Sequence, residues 1–171
     1  MSGQQVVVLV LTAAVAAVTV AGLTTRRSPR AVAGTAVVLL ALALLVGWGA
    51  GRDAGLDRWV TLLAGIAAVA GGGLVTTQVF SFVEDPERVR DAGAVLRGGA
   101  WIGALERLGV FVAIAVGWAP GLAVVLAVKG LGRDPELRNQ EDTGVAERFI
   151  IGTFTSVLWA VACAGVAVLT S

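Results

Sequence analysis

The stretch WIGALERLGVFVAIAVGWAPGLAVVLAVKGLG, residues 101–132, decides between two folds for this chain. Two apolar runs, 101–118 and 119–132, meet there at the sequence Gly-Trp-Ala-Pro-Gly. Pro120 lacks a backbone N–H and Gly121 relaxes the chain, so a continuous helix is disfavoured at this point. Either one long helix kinks at Pro120, or two short helices form a hairpin.

The whole chain has the composition of a membrane protein. Of its 171 residues, 57% are apolar and 15% are charged. A helix needs ~20 consecutive apolar residues to cross a hydrocarbon core of ~30 Å. The apolar runs are residues 5–23, 31–50, 59–83, 101–118, 119–132 and 149–169. They predict an all-α, polytopic bundle that forms a single integral membrane domain over residues 1–171.

The distribution of basic residues favours the hairpin. Cytoplasmic loops carry an excess of Lys and Arg, and six segments would place eleven basic residues on one side and two on the other. A single kinked helix would leave seven against six. We therefore predict six membrane segments, with the fourth and fifth a short hairpin broken at Pro120, and both termini outside. The eleven are Arg26, Arg27, Arg30, Arg88, Arg90, Arg97, Arg107, Lys129, Arg133, Arg138 and Arg148.

Several classes of function are disfavoured by what the sequence lacks. The chain has no histidine and a single cysteine, Cys163, so a Cys/His metal site is excluded and we predict no metal, cofactor or catalytic residue. A net charge of +1 argues against a nucleic-acid partner. The residues before the first apolar run carry no side-chain charge, which favours a retained helix over a signal peptide. The excess of Ala, Gly, Val and Arg is typical of a GC-rich bacterial genome. We therefore predict that the protein lies in a bacterial cytoplasmic membrane.

A stripe of small residues marks the last segment. Gly152, Ser156, Ala160 and Ala164 recur at a spacing of four residues. Helices in lipid associate through small residues that let their backbones approach. We interpret this face as a helix-packing surface, with the wall of a narrow cavity as the alternative.

A repeated Glu-Arg pair is the candidate site. Glu106-Arg107 and Glu147-Arg148 each lie at the predicted inner end of an apolar run, and Lys129, Arg133 and Glu136 are among the charged residues between them in sequence. Charge near the hydrocarbon is costly, so such groups are usually paired or functional. One hypothesis is an anion or headgroup site, in which the glutamates hold the arginines. The alternatives are an interfacial ion-pair belt or a proton-coupling role for Glu106 or Glu147. The candidate residues are Glu106, Arg107, Lys129, Arg133, Glu136, Glu147 and Arg148.

A second polar group ends the third segment. It comprises Thr76, Thr77, Gln78 and Ser81, and residues 71–73 just before it are three consecutive glycines. Side chains of this kind usually form hydrogen bonds between helices. We interpret the glycines as a point of close packing, with a hinge as the alternative.

Three elements of the second half of the chain resemble those of a known family. They are Ile102-Gly103 followed by Leu105-Glu106-Arg107, Ala127-x-Lys129 with Arg133 and Glu136, and Ala146-Glu147 leading to Ile151-Gly152-Thr153 and Ser156. With these elements, residues 99–165, about two fifths of the chain, resemble the closing segment of an uncharacterised bacterial inner-membrane family of unknown function. The resemblance implies a membrane location, and it implies that the three elements belong to one unit. Members of that family carry a His and an Asp in their first helix, and this chain has no histidine.

These observations predict a non-catalytic membrane protein whose inner charged cluster binds an anionic ligand, a lipid headgroup or a partner protein. Membrane lipids are the expected surroundings. One alternative is a small transporter or channel subunit, which implies a homo-oligomer because six short helices enclose little cavity. The other is a lipid-modifying enzyme that uses Glu106 or Glu147 as an acid or base.

Overall fold

A computed structural model describes residues 3–24, 29–48, 57–83, 99–138 and 143–170, with side chains for all of these except 29, 83, 133–138 and 143–146. Each described range is almost wholly α-helical. The helices are α1 (Gly3–Thr24), α2 (Pro29–Gly47), α3 (Asp57–Val83), α4 (Gly99–Ala115), α5 (Ala119–Arg138) and α6 (Thr143–Thr170). They correspond one to one with the six predicted segments, and the all-α helical bundle is confirmed.

Four of these helices are long and apolar enough to cross a membrane. Within the described residues they are α1, α2, α3 and α6, which makes this a multi-pass membrane protein by length and composition. α4 has 17 residues and carries two charged side chains, and the apolar part of α5 covers only Ala119–Gly132. These two helices therefore have shorter apolar stretches than the other four.

Helices that follow one another along the chain run in opposite directions. A Cβ built on Gly22, near the end of α1, would lie 2.6 Å from Val32 at the start of α2 and 2.8 Å from Leu74 in the second half of α3. At the other end, a Cβ on Gly47 would lie 3.8 Å from Leu169. We call the end where α1, α3 and α5 finish the basic end, because Arg30, Lys129 and Arg148 lie towards it.

α3 and α6 form the centre of the bundle, and α1, α2 and α4 pack around them. The core consists mainly of alanine and valine, which lets the helix backbones approach closely. Its largest fully buried side chains include Val8, Val15, Val60, Val110, Cys163 and Val166. α5 lies outside this core against α4, and Val128 and Leu131 on α5 are 65% and 74% exposed.

The predicted hairpin is confirmed, and its turn lies just before Pro120. α4 ends at Ala115, and the chain reverses through Val116, Gly117 and Trp118. Gly117 adopts φ +70°, a left-handed conformation that strains other residues. Pro120 lies in the first turn of α5, where its missing N–H costs nothing.

Tryptophan exposure divides the rings into two groups. Trp48, Trp59, Trp101 and Trp118 lie near helix ends and are 55% to 82% exposed, whereas Trp159 is 5% exposed. Exposed rings near helix ends match the aromatic belts of membrane proteins. Trp159 instead belongs to the core.

Candidate functional site

The three glycines of α3 admit two large side chains into the bundle. A Cβ on Gly71 would lie 2.5 Å from Cζ2 of Trp159 and 2.8 Å from Cγ2 of Thr19. A Cβ on Gly72 would overlap Cδ of Arg107 and lie 2.8 Å from its Nε. These glycines therefore act as packing notches, which is the interpretation the sequence favoured over a hinge.

Arg107 reaches from α4 across α3 to α6. Its Nε donates to the backbone oxygen of Val69 at 3.0 Å, and its Nη1 donates to Oγ of Ser156 at 3.3 Å. Within the described part of the chain, no carboxylate lies in ion-pair distance of this guanidinium. The positive charge is therefore held by neutral oxygens, and several of its five N–H groups remain available.

The guanidinium lies near mid-depth of the bundle. Gly72 is two residues past the centre of the 27-residue α3, about 3 Å along the axis, and Ser156 is at the centre of the 28-residue α6. Nη1 points towards Gly103, one turn nearer the basic end, where a Cβ would lie 3.2 Å away. An arginine at this depth is costly in lipid, and such residues mark functional sites more often than not.

Glu106 and Lys129 form an ion pair between α4 and α5. Nζ of Lys129 pairs with Oε2 of Glu106, and the two side chains are 16% and 17% exposed. The ammonium also lies 5.8 Å from the centre of the Phe149 ring on α6. The sequence hypothesis had the glutamates holding the arginines, but the partner of Glu106 is the lysine.

Arg148 lies one helical turn before Gly152 on α6. Its guanidinium carbon is 5.2 Å from the centre of the Phe80 ring, a cation–π contact. A Cβ on Gly152 would lie 3.1 Å from the same ring, so Gly152 provides the space that Phe80 occupies. Arg148 is thereby placed at the basic end beside α3.

A groove of about 1260 Å³ runs between α3 and α4, and Arg107 forms part of its wall. It extends along α3 from Thr61 to Phe80, 19 residues or about 28 Å, close to the thickness of a hydrocarbon core. Arg107 and Lys129 are the charged side chains among the described residues of its wall. The groove opens sideways, where a membrane would place lipid.

The two halves of the groove differ in chemistry. Towards the basic end, the wall contains four large apolar residues, Leu23, Leu74, Phe80 and Trp101, and a larger number of small or hydroxyl-bearing ones: Gly73, Thr76, Thr77, Gly99, Ala100, Ala104, Gly152 and Ser156. Towards the opposite end, large apolar residues predominate: Leu62, Ile66, Leu108, Phe111 and Val112. Arg107 lies at the boundary between a half that tolerates polar groups and a half that suits a hydrocarbon chain.

The remaining candidate residues occupy different places. Glu147 is exposed, and the side chains of Arg133 and Glu136 lie outside the described residues although the backbone there belongs to α5. In the small-residue stripe, Ala160 and Ala164 are fully buried in the core, while Gly152 and Ser156 line the groove. The stripe therefore packs at its centre and forms a wall at its basic end.

The polar group at the end of α3 is satisfied mostly within its own helix. Oγ1 of Thr77 donates to the oxygen of Gly73 at 2.9 Å, and Nε2 of Gln78 donates to Oγ of Ser81 at 2.6 Å. Oγ1 of Thr76 and Oγ1 of Thr153 are buried without a hydrogen-bond partner. These two hydroxyls belong to α3 and α6, the helices that flank the inner side of the groove.

Sequence reasoning found Arg107 but not its partners. The backbone oxygen of Val69 bears no sequence signal, and Ser156 appeared as a packing residue. The informative signal was the run Gly71-Gly72-Gly73, because consecutive glycines at the centre of a helix indicate that something bulky packs there.

A scan of family models and searches of curated proteins and of solved structures found no match to this chain.

Proposed function

We propose that this protein binds an anionic lipid in the groove between α3 and α4, without catalysis, and that Arg107 holds the charged head. The observation that carries the proposal is the guanidinium of Arg107 in the groove wall, bonded to Val69 and Ser156 but to no carboxylate among the described residues. A cation kept in an apolar bundle without a carboxylate in direct contact is stabilised by an anion that arrives from outside.

The energetics favour such a ligand. A charged side chain at the centre of a membrane helix costs about 2.5–3.5 kcal/mol on insertion scales. Charge-assisted hydrogen bonds from a guanidinium to phosphate or carboxylate are roughly twice as strong as neutral ones. The planar fork of arginine also matches the geometry of these anions, which a lysine would not.

The two halves of the groove orient the lipid. The head enters from the basic end, past Lys129 and along the small residues of α3 and α4, and stops at Arg107. The chain lies against Leu62, Ile66 and Phe111, where apolar contact contributes about 0.8 kcal/mol per buried methylene. This arrangement places the basic end at the leaflet from which the lipid is taken.

We place the protein in a bacterial cytoplasmic membrane, with the basic end inside and both termini outside. Leaving out Arg107, which lies at mid-depth, the basic residues divide ten to two by sequence, and this division supports the orientation. Cysteines introduced singly at Ser2 and Ser28, in a Cys163→Ser background, test it. An impermeant maleimide added to intact cells should label the first variant and spare the second, and the reverse pattern would contradict the topology.

Native mass spectrometry of the protein extracted with its lipids tests the binding. We expect the wild type to retain an anionic lipid and Arg107→Gln to lose it. Arg58→Gln is the matched control, because it removes one arginine at the opposite end of α3, outside the groove wall.

Equal lipid retention in Arg107→Gln and the wild type would overturn the proposal. That result would favour the ion-pair belt, in which the charged residues only fix helix depth. Loss of lipid in both variants would point to general destabilisation, which a thermal-unfolding measurement on each variant identifies.

The resemblance noted in the sequence supports treating α4, α5 and α6 as one unit. Its three elements lie on those helices, and Arg107, Lys129 and Ser156, one from each element, meet at the groove. The transporter, the homo-oligomer and the lipid-modifying enzyme stay predictions. Neither Glu106, paired with Lys129, nor the exposed Glu147 stands out as an acid or base.

A further inference from the structure

The charge of the groove depends on Glu106. Arg107 and Lys129 are the two cations of the described wall, and Glu106, which is not a wall residue, pairs with Lys129. Two positive charges less one negative charge leave a single net positive charge, centred on Arg107. Arg148 is not a wall residue, and its guanidinium is held on the ring of the wall residue Phe80.

We infer that the groove selects lipids whose head carries one negative charge, such as a phosphodiester or a carboxylate, and that Glu106 determines this selectivity. The inference rests on the proposed function and names the class of its ligand. Glu106 acts through Lys129: by occupying the ammonium, it prevents a second attractive charge from facing the head.

The physical reason is the cost of an unmatched charge away from water. A monoanion at Arg107 leaves the groove neutral. A phosphomonoester, which is close to doubly charged in mildly alkaline solution, would retain one uncompensated negative charge, and burying such a charge is strongly unfavourable. Glu106 would also repel it directly.

A purely structural role of Glu106 makes a different prediction. In that case the ion pair only ties α5 to α4, and removing it would weaken binding of every lipid alike. Glu106→Gln frees Lys129, whereas the double variant Glu106→Gln/Lys129→Gln removes both charges and restores the net charge of the wild type. The two variants separate charge from mechanics because both lack the ion pair.

The experiment compares phosphatidylglycerol, a monoanionic phosphodiester, with phosphatidic acid of the same chains at about pH 8.5, where the phosphomonoester is doubly charged. Binding of each lipid to delipidated protein is measured by native mass spectrometry. The wild type should prefer phosphatidylglycerol. Glu106→Gln should shift the ratio towards phosphatidic acid by on the order of tenfold, the scale of one unit charge in a protein environment, and the double variant should return to the wild-type ratio.

The outcomes are distinguishable from failure of the proposed function. If Arg107→Gln binds both lipids as well as the wild type does, the groove is not the site and both proposals fail. If Arg107→Gln loses binding but the ratio is the same in wild type, Glu106→Gln and the double variant, the binding site stands and the selectivity inference is overturned. A double variant that behaves like Glu106→Gln would also overturn it.

Discussion

Replacing each of the three central glycines of α3 by alanine should give three different results, although the chemical change is the same. Inside a helix, alanine stabilises the helical conformation by about 1 kcal/mol relative to glycine. Only the space around each new methyl group therefore separates the variants. A Cβ built on Gly73 would have its nearest non-local neighbour, Nη2 of Arg107, at 4.0 Å. Gly73→Ala should therefore be neutral or slightly stabilising.

At Gly71 the new methyl meets rigid atoms. A Cβ on Gly71 would lie 2.5 Å from the Trp159 ring and 2.8 Å from Cγ2 of Thr19. The ring is fixed because its Nε1 donates to the oxygen of Ala67 at 2.9 Å. Overpacking costs about 1–3 kcal/mol, and loss of the indole hydrogen bond adds about 1 kcal/mol. After the gain in helix propensity, Gly71→Ala should destabilise the protein by roughly 2 kcal/mol.

At Gly72 the obstacle is a flexible side chain. Arg107 can move aside, which limits the loss of stability, but its hydrogen bond to Val69 must then lengthen or break. Gly72→Ala should therefore affect lipid retention more than unfolding, whereas Gly71→Ala should do the opposite.

Thermal unfolding in detergent, together with the lipid retained in native mass spectra, measures both effects. If Gly73→Ala destabilised the protein as much as Gly71→Ala, the notches would not be steric and the reasoning would be refuted. The same conclusion would follow if Gly72→Ala retained lipid normally while Arg107→Gln did not.

Four further outcomes are expected. Breaking the partly buried ion pair by Lys129→Gln should cost about 1–3 kcal/mol. The double variant with Glu106→Gln should cost less than the two single variants summed, as a double-mutant cycle of unfolding free energies would show. Trp159→Phe should lose about 1 kcal/mol with its hydrogen bond and should remove the most blue-shifted component of the tryptophan emission; an unchanged spectrum would place the ring elsewhere. Ala164→Leu, at a fully buried position, should lower the free energy of unfolding by about 1–3 kcal/mol, while Leu158→Ala, at 62% exposure, should change the melting temperature little. Cys163 is the single cysteine and fully buried, so a maleimide should modify it only after unfolding, and rapid labelling of the native protein would contradict the packing of α6.

The elements of the fold could be predicted because each depends on local composition. Runs of Val, Leu and Ala fix the helices, and the charge division selected the hairpin at Pro120 over a kinked helix. The turn itself lies a few residues earlier, at Gly117, because proline is accepted in the first turn of α5 and glycine is needed where φ is positive. The sequence prediction had placed the break at Pro120.

The site was predicted only in part, since pairing between helices depends on rotation about the helix axes. Glu106 and Arg107 are adjacent in sequence and therefore point about 100° apart on a helix, one towards α5 and the other towards α3. The sequence hypothesis grouped them as partners at one membrane face. Once their directions are known, Lys129 and Ser156 become the partners, and Arg107 moves from the interface to mid-depth.

The span of Arg107 also bears on how the protein is made. Ribosomes deliver α3 and α4 to the membrane before α6 exists, so for that interval the guanidinium has the Val69 oxygen but not the Ser156 hydroxyl. We expect the short α4–α5 hairpin to remain loosely inserted until α6 emerges and closes around the arginine. Truncation after residue 142 should then leave the first three helices in the membrane and the hairpin sensitive to proteases.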